Sequence, residues 1–245
     1  MRNSRVMPVL RFNPARLANQ NSLLLKRSLI LLALLPSIRL LWEFLSDSLG
    51  INGFERLIHS TGEWALIFLL LIYAVSPLRR WCSRGMIALA ADYGHRLSDW
   101  NWLMGLRRAL GLLAFFYASS HFLIYFWLEL GFSLEEVGYE LQERPFIAAG
   151  FTSLILLLPL AITSSNAMMR RLKHNWQRLH QLVHLAVIAS LLHYLWLSKA
   201  GDPAIKFYLL AGGILLLERL AVRLGLLRAA PSETISEQPS AGTSA

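Results

Sequence analysis

Charged residues are scarce in this sequence. Only 16% of its 245 residues are Asp, Glu, Lys or Arg, while 55% are hydrophobic and the mean hydropathy is +0.45. A soluble domain has about 25% charged residues, and a water-soluble chain of this length could not bury so much apolar surface in one core. The composition therefore excludes an ordinary soluble domain and favours a protein that lies in a lipid bilayer.

Cysteine and acidic residues are also few. Cys82 is the one cysteine, so no internal disulfide can form, and we interpret it as an ordinary thiol beside a basic loop. The acidic residues number 15 against 24 Lys and Arg, which gives a net charge of +9. The basic residues occur in short clusters between apolar runs, which is typical of membrane topology and not of a nucleic-acid-binding face. We therefore expect the bilayer, and no nucleic acid, as a partner.

Long apolar runs are what the sequence does have. About 20 apolar residues in a helix cross a bilayer, and these runs lack the period-2 alternation of membrane β-strands. The first run is interrupted by Pro36 and Arg39, and the basic segment before it resembles the start of a signal peptide. Because the run continues past Trp42 without a small-residue cleavage site, we interpret it as a membrane helix. The sequence thus predicts an all-α integral membrane bundle of six helices, at 28–46, 63–80, 108–130, 146–164, 179–198 and 204–224.

The loops predict how this bundle is oriented. We expect a basic N-terminal segment (1–27), a six-helix membrane domain (28–225) and a disordered tail (226–245) that is rich in Ser, Pro, Glu and Thr. Lys and Arg in alternate loops sum to nineteen on one side and four on the other. Positive loops stay in the cytoplasm, so both termini are predicted to be cytoplasmic. The outer loop 129–143 is acidic and is either a solvated hairpin or a docking surface for a soluble partner.

Histidines inside the predicted spans are the strongest functional signal, because ionisable residues in membrane helices are rare and usually functional. At about 1.5 Å per residue, His121 lies roughly 20 Å along the third span and His193 roughly 22 Å along the fifth, both measured from the cytoplasmic side. Two neutral imidazoles at one depth can bind one iron from both faces, which favours electron transfer. No CxxCH stretch occurs, so covalent haem attachment is excluded. The prediction is a b-type haem between these two helices.

A second level of histidines lies nearer the cytoplasm. His180 is about 20 Å below His193 on the same helix, and its counterpart on the third span is near Arg107, which is not an iron ligand. His184, one turn from His180, is a spare candidate. His180 and His193 differ by about 140° in azimuth on an ideal helix, so tilt, an irregularity or different neighbours must accommodate both. The alternative for every membrane histidine is a hydrogen bond to a neighbouring helix.

His59 stands at the outer mouth of the second span, before Ser60 and Thr61. It is either a helix-start residue, with Ser60 or Thr61 as the cap, or a functional residue and possible iron ligand. Small residues near the predicted site, Gly111, Ala118 and Gly150, would allow close approach of a helix or a macrocycle.

Five stretches resemble one known family. They are HSTGEWAL at 59–66, SPLRR at 76–80, RRALGLLAFFYASSH at 107–121, RPFIAAG at 144–150 and LAITSSNAMMRRL…WQRLHQLVHLAVIASLLHYLW at 160–196. In order and spacing they resemble the MsrQ (YedZ) family of haem-binding membrane subunits, which belongs to the wider ferric-reductase-like transmembrane group. The resemblance covers roughly 55–225.

The resemblance implies an electron-transfer subunit of the bacterial inner membrane. Such a subunit takes electrons from the quinone pool and forms a heterodimer with MsrP, a periplasmic molybdenum-containing partner that reduces methionine sulfoxide in oxidised envelope proteins. The partner is the catalytic subunit, so no catalytic residue is expected in this chain. The implied cofactors are haem b and FMN, and the implied haem-linked histidines are His121, His180 and His193. The wider group has two histidines on each of the third and fifth spans, and Arg107 here takes the place of the inner one on the third.

Arg107 and Arg108 open the third span and have two interpretations. They set membrane topology and contact lipid phosphates, or they pair with a haem propionate or a flavin phosphate. The sequence has no GxGxxG and no nucleotide-binding domain after the last span, so we expect a lipid-soluble or separate electron donor. Two alternative functions stay open at this point: a self-contained haem metalloreductase, and a non-redox transporter or scaffold.

Overall fold

The structure, a computed structural model, describes residues 14–198 and 203–227, and every regular element in these ranges is helical. Most of the predicted disordered tail and the first half of the basic N-terminal segment lie outside the described residues. A 3₁₀ turn at Leu97–Trp100 precedes α4. The α-helices are α1 (Pro14–Gln20), α2 (Ser22–Leu45), α3 (Gly53–Ala88), α4 (Asn101–Leu128), α5 (Leu134–Glu143), α6 (Pro145–Ile162), α7 (Asn166–Leu172), α8 (His174–His180), α9 (Val183–Leu197) and α10 (Pro203–Arg223).

Five of the six predicted spans are present as helices long and apolar enough to cross a membrane. They are Ser22–Leu45, Gly53–Ala88, Leu97–Leu128, Pro145–Ile162 and His174–Leu197. The first continues through Pro36, and Arg39 on it is neutralised by Glu43 one turn later, at 2.9 Å. The described residues therefore form a multi-pass helical membrane protein, because a soluble chain would not display such long apolar faces.

The sixth predicted span forms α10, a helix of 21 residues. It has four charged residues, and two of its polar residues pair with α3. Glu218 accepts two hydrogen bonds from Arg80, at 2.7 and 2.6 Å, and Tyr208 donates to Glu63 at 2.7 Å. Charges that are paired inside the protein are tolerated at membrane depth. A membrane-crossing role for α10 stays a prediction, and so do the cytoplasmic termini.

The centre of the bundle is α3, which packs closely against α4 and also touches α9 and α10, while α6 packs against α9. The inward face of α3 contributes Leu69 and Tyr73 to the core, where they pack with Tyr117 of α4 and Val187 of α9. Large apolar side chains on the outside of the bundle, such as Leu31 of α2, are exposed. The core of the bundle and its outer surface are therefore both apolar, as expected for helices packed within a bilayer.

The helix that carries His180 and His193 is interrupted between them. Three backbone amides there form i→i−3 hydrogen bonds: Gln181 donates to Arg178, Leu182 to Leu179, and His184 to Gln181. A 3₁₀ turn advances about 20° more per residue than an α-helix. Three such residues therefore reduce the difference in azimuth between His180 and His193 from about 140° to about 80°. Of the three options that the sequence left open, tilt, an irregularity or different neighbours, an irregularity is therefore present.

Two local predictions were wrong. The helix α3 begins at Gly53, ten residues before the predicted start, so His59 lies within it and neither Ser60 nor Thr61 is its cap. Residues 54, 57, 58 and 61 form a continuous inward stripe at helical spacing, and this stripe extends the helix outward. The acidic loop is also not a hairpin, since most of it forms α5, whose first turn is capped by the Ser133 hydroxyl accepting from the Glu136 amide at 3.2 Å.

Candidate functional site

A cavity of about 320 Å³ lies between α3, α4, α6 and α9, and α5 closes one side of it. Its wall is mostly apolar, with residues such as Leu66, Leu69 and Phe151. Two imidazoles, His121 from α4 and His193 from α9, meet in it, and His59 of α3 also lines it. A largely apolar cavity with a few convergent polar groups is the usual form of a cofactor site.

The two imidazoles lie face to edge, with ring centroids 6.1 Å apart and ring planes at 74°. The Nδ1 atom of His121 lies 3.0 Å from the Ile58 carbonyl oxygen, and that of His193 lies 2.6 Å from the Phe146 carbonyl oxygen. A carbonyl can only accept, so each Nδ1 donates, and in a neutral ring Nε2 is then left with a free lone pair. Metal-binding histidines are oriented in this way, by a hydrogen bond from the other ring nitrogen.

The separation of the rings fits one iron between them. An imidazole nitrogen binds a transition metal at about 2 Å and the ring centre lies roughly 1 Å farther, so two rings on one metal have centroids about 6 Å apart. The observed 6.1 Å agrees with this value. The depth argument thus placed the two histidines together correctly, and their role as iron ligands stays a prediction.

Two glycines make room for these imidazoles. A Cβ atom on Gly62 would lie 3.0 Å from Nδ1 and Cε1 of His121, and one on Gly150 would lie 2.7 Å from Nδ1 of His193. Any side chain at either position would displace the ring beside it. The sequence argument named Gly150 as a small residue but missed Gly62. The signal available was the family-like stretch HSTGEWAL at 59–66, which contains Gly62.

The inner histidines are held differently. The Nδ1 atom of His184 lies 2.7 Å from the Tyr73 hydroxyl, and the two rings meet edge to face. The ring of His180 stacks on Trp176 at 3.9 Å, and its Nδ1 donates to the Trp176 carbonyl oxygen at 3.1 Å. No ring contact joins either histidine to another imidazole in the part of the chain that the structure describes. The inner level therefore lacks the paired arrangement of the outer one.

Comparison with known proteins decides the family. The ferric reductase like transmembrane component family matches residues 61–191. A relative from Herminiimonas arsenicoxydans, named protein-methionine-sulfoxide reductase heme-binding subunit MsrQ, is 44% identical over 179 residues, which are 73% of this chain and 74% of the relative. Proteins of the same name from Azospira oryzae and Deinococcus radiodurans are 41% identical over 206 residues (82% and 81%) and 43% identical over 168 residues (68% and 75%).

The chain belongs to the MsrQ family. The predicted resemblance is thereby confirmed, and the ferric-reductase-like match contains His121, His180 and His184, while His193 lies two residues beyond it.

Arg107 and Arg108 lie in the second turn of α4, which begins at Asn101, and their surroundings differ. Arg108 hydrogen-bonds the side chain of Asn166, which links α4 to α7. Arg107 forms no hydrogen bond or ion pair with the described residues, and it lies near enough to Arg79 and Arg219 for like-charge repulsion. Arg219 itself lies over the Tyr73 ring at 4.1 Å and donates to the Tyr73 carbonyl oxygen at 2.7 Å. The inner end of this MsrQ-family chain is thus cationic, which suits both topology and the binding of an anion.

Polar residues collect at the outer end of the cavity, and the sequence argument did not connect them. His59 lies there with its Nε2 3.6 Å from the Glu55 carboxylate and its side chain 56% exposed. Tyr125 donates to the Glu140 carboxylate at 3.1 Å, and the Arg144 Nε atom forms an ion pair with the same oxygen at 3.2 Å. These contacts join α4, α5 and the start of α6. They depend on how the helices pack, which no motif in the sequence predicts.

Proposed function

We propose that this chain is the haem-binding, electron-transferring subunit of a protein-methionine-sulfoxide reductase system. The observation that carries the proposal is the pair His121 and His193, with ring centroids 6.1 Å apart and both Nδ1 atoms bound to backbone carbonyls. Family membership supports it, because relatives 41–44% identical are named as heme-binding subunits of such a reductase. We assign haem b to this outer site, since the sequence has no CxxCH for covalent attachment.

The residues around the pair suit electron transfer better than catalysis at the iron. His121 and His193 together would hold the iron of a bound haem, and iron held by two imidazoles would supply electron transfer without binding O₂ or substrate. The Ile58 and Phe146 carbonyls fix the orientation of the rings and raise the basicity of their Nε2 atoms. The apolar wall excludes water and lowers the local dielectric constant. Less solvent then has to rearrange when the iron site changes charge. Haem supplies one-electron redox chemistry when it is bound there.

We further propose the quinone pool as the donor and an MsrP-like periplasmic molybdoprotein as the heterodimeric partner. Reduction of methionine sulfoxide needs two electrons, while haem carries one at a time, so a metal centre in the partner would collect them. The acidic helix α5 supports docking on the outer side, because it lies against the cavity and exposes Glu135, Glu136 and Glu143. Charge steering of this kind is common in transient redox encounters.

The proposal includes a bacterial inner-membrane location with α10 as the sixth span and both termini in the cytoplasm. It also includes His180 as an inner haem-linked histidine, and FMN as the second cofactor. Uncompensated positive charge at Arg107 supports an anionic group at that level, either a haem propionate or a flavin phosphate. The structure offers His180 no second imidazole among the described residues, so this inner assignment depends on the family resemblance.

The test uses the purified full-length chain in lipid nanodiscs. Quinol should reduce its haem, and addition of the MsrP-like partner with an oxidised, methionine-sulfoxide-containing protein should reoxidise it. The same chain without the partner is the control, and its haem should stay reduced. Equal reoxidation by a ferric chelate without any partner would favour a self-contained metalloreductase. Purified chain without Soret absorbance would favour a transporter or scaffold.

A further inference from the structure

The cavity that holds the paired imidazoles is poor in positive charge. Arg144 is the one arginine or lysine that the described residues place on its wall, and the wall also carries carboxylates from Glu63, Glu129 and Glu140. A haem has two propionate carboxylates of its own. Burying a carboxylate in an apolar cavity is costly unless a cation or hydrogen-bond donor compensates it. The wall therefore has to provide such a group at the end where the propionates lie.

Arg144 is oriented by its neighbours and still has free donors. Its Nε atom lies 3.2 Å from a Glu140 carboxylate oxygen and forms an ion pair with it, and the same oxygen accepts from the Tyr125 hydroxyl at 3.1 Å. The Glu140 side chain is 10% exposed and that of Arg144 is 52% exposed. A guanidinium has five N–H donors, and the terminal nitrogens of Arg144 form no other hydrogen bond with the described residues. Glu140 thus fixes the Arg144 side chain through Nε and leaves the two terminal nitrogens of the guanidinium free to bind a ligand.

The backbone couples this cation to one of the paired imidazoles. Arg144 is the extended residue before α6, with φ −120° and ψ 95°, and Pro145 begins the helix. Two residues beyond Arg144, the Phe146 carbonyl accepts from His193, and Gly150 one turn later provides the space for that ring. The segment 144–150 therefore fixes a cation, a hydrogen-bond acceptor and a ring pocket relative to one another.

From this arrangement we propose that Arg144 binds a propionate of the outer haem, and that Glu140 and Tyr125 position it. The inference rests on the proposed haem site. An arginine fork matches a carboxylate in a bidentate manner, and such charge-assisted bonds are about twice as strong as neutral ones. The competing explanation is that Arg144 and Glu140 form only an i,i+4 ion pair between α5 and α6, with no role toward a ligand.

The experiment compares haem b with haem dimethyl ester, in which both propionates are blocked. Haem-depleted full-length chain in nanodiscs is titrated with each, and the Soret band reports binding. The wild type should bind haem b about tenfold to a hundredfold more tightly than the ester, because hydrogen bonds to charged groups are worth roughly 1.5–3 kcal/mol. Arg144→Gln should weaken binding of haem b by a similar factor and bind the ester like the wild type. Arg144→Lys, which keeps the charge but not the fork, should fall between them.

Arg56→Gln is the matched control, because Arg56 lies on the same side of the bundle, pairs with Glu43, and is not on the cavity wall. It should keep the wild-type preference for haem b. Equal affinity of the wild type for haem and ester would overturn the inference without the need for any variant, and so would an Arg144→Gln protein that keeps the preference. A wild-type chain that binds neither compound would overturn the proposed haem site itself, which separates the two failures.

Discussion

The outer and inner histidines lie in the same bundle but have different surroundings. At the outer level, His121 and His193 face one cavity, their Nδ1 atoms are bound by carbonyls, and glycines clear space beside both rings. At the inner level, His184 is bound to a tyrosine and His180 stacks on a tryptophan. The comparison teaches that an orienting hydrogen bond is not enough to mark a ligand, because the Nδ1 atom of His180 also donates to a backbone carbonyl. What sets the outer histidines apart is that their two imidazoles meet in one cavity.

The largest effect is expected from removing either outer imidazole. His121→Ala or His193→Ala should lower the haem content of correctly inserted protein by more than about tenfold, since loss of an outer-shell partner alone costs roughly 10–100-fold in metal affinity. Soret absorbance per chain measures this. His174→Ala is the control, because His174 is exposed at the start of α8, and it should keep full absorbance. A variant of His121 or His193 with full absorbance would remove that residue from the ligand set.

The glycines give the next largest effect. Gly150→Ala should weaken haem binding about tenfold, because an added Cβ 2.7 Å from the His193 ring must displace it, and overpacking costs roughly 1–3 kcal/mol. Gly62→Ala, with a contact of 3.0 Å, should weaken binding less. Haem titration of the depleted chain measures both.

Gly105→Ala is the control for these substitutions, since an added Cβ there meets nothing within 4 Å. Alanine is a better helix former than glycine by about 1 kcal/mol, so all three variants gain helix propensity. Reduced haem affinity in Gly150→Ala with unchanged affinity in Gly105→Ala would therefore assign the effect to the ring pocket. Unchanged affinity in Gly150→Ala would mean that His193 adjusts and that the glycine is not required.

A smaller effect is expected at the inner level, from His180→Ala. If His180 is haem-linked, as the family resemblance implies, pyridine haemochrome analysis should give more than one haem per wild-type chain and a lower value in the variant. The outer haem should remain, because His180 lies about 20 Å from His193 along the helix. His184→Ala serves for comparison, since the ring of His184 packs on Tyr73 and contacts no other imidazole among the described residues. A wild-type content of one haem per chain would exclude His180 as a ligand.

The sequence predicted the outer pair well because the depth of a residue in a span depends on a single quantity, the rise per residue. His121 and His193 have nearly the same calculated depth. It predicted the remainder of the site poorly because neighbouring residues come from different helices. Tyr73 and His184, for example, are 111 residues apart, and Tyr73 lies in an apolar run without any polar pattern. The start of α3 was missed because its outer turns mix charged and apolar residues. Their inward stripe becomes visible only at helical spacing.

The smallest effect is expected from Tyr73→Phe, which removes the partner of His184 and keeps the shape of the ring. Loss of one hydrogen bond should reduce the free energy of unfolding by about 1 kcal/mol. Haem at the outer site should be unchanged, because Tyr73 lies roughly 16 Å along α3 from Gly62. Thermal unfolding in detergent and the Soret band measure the two quantities, and Tyr139→Phe, an exposed tyrosine of α5, is the control. Loss of outer haem in Tyr73→Phe would show that the two levels are coupled, and the distinction between a ligand pair and a structural pair would then have to be given up.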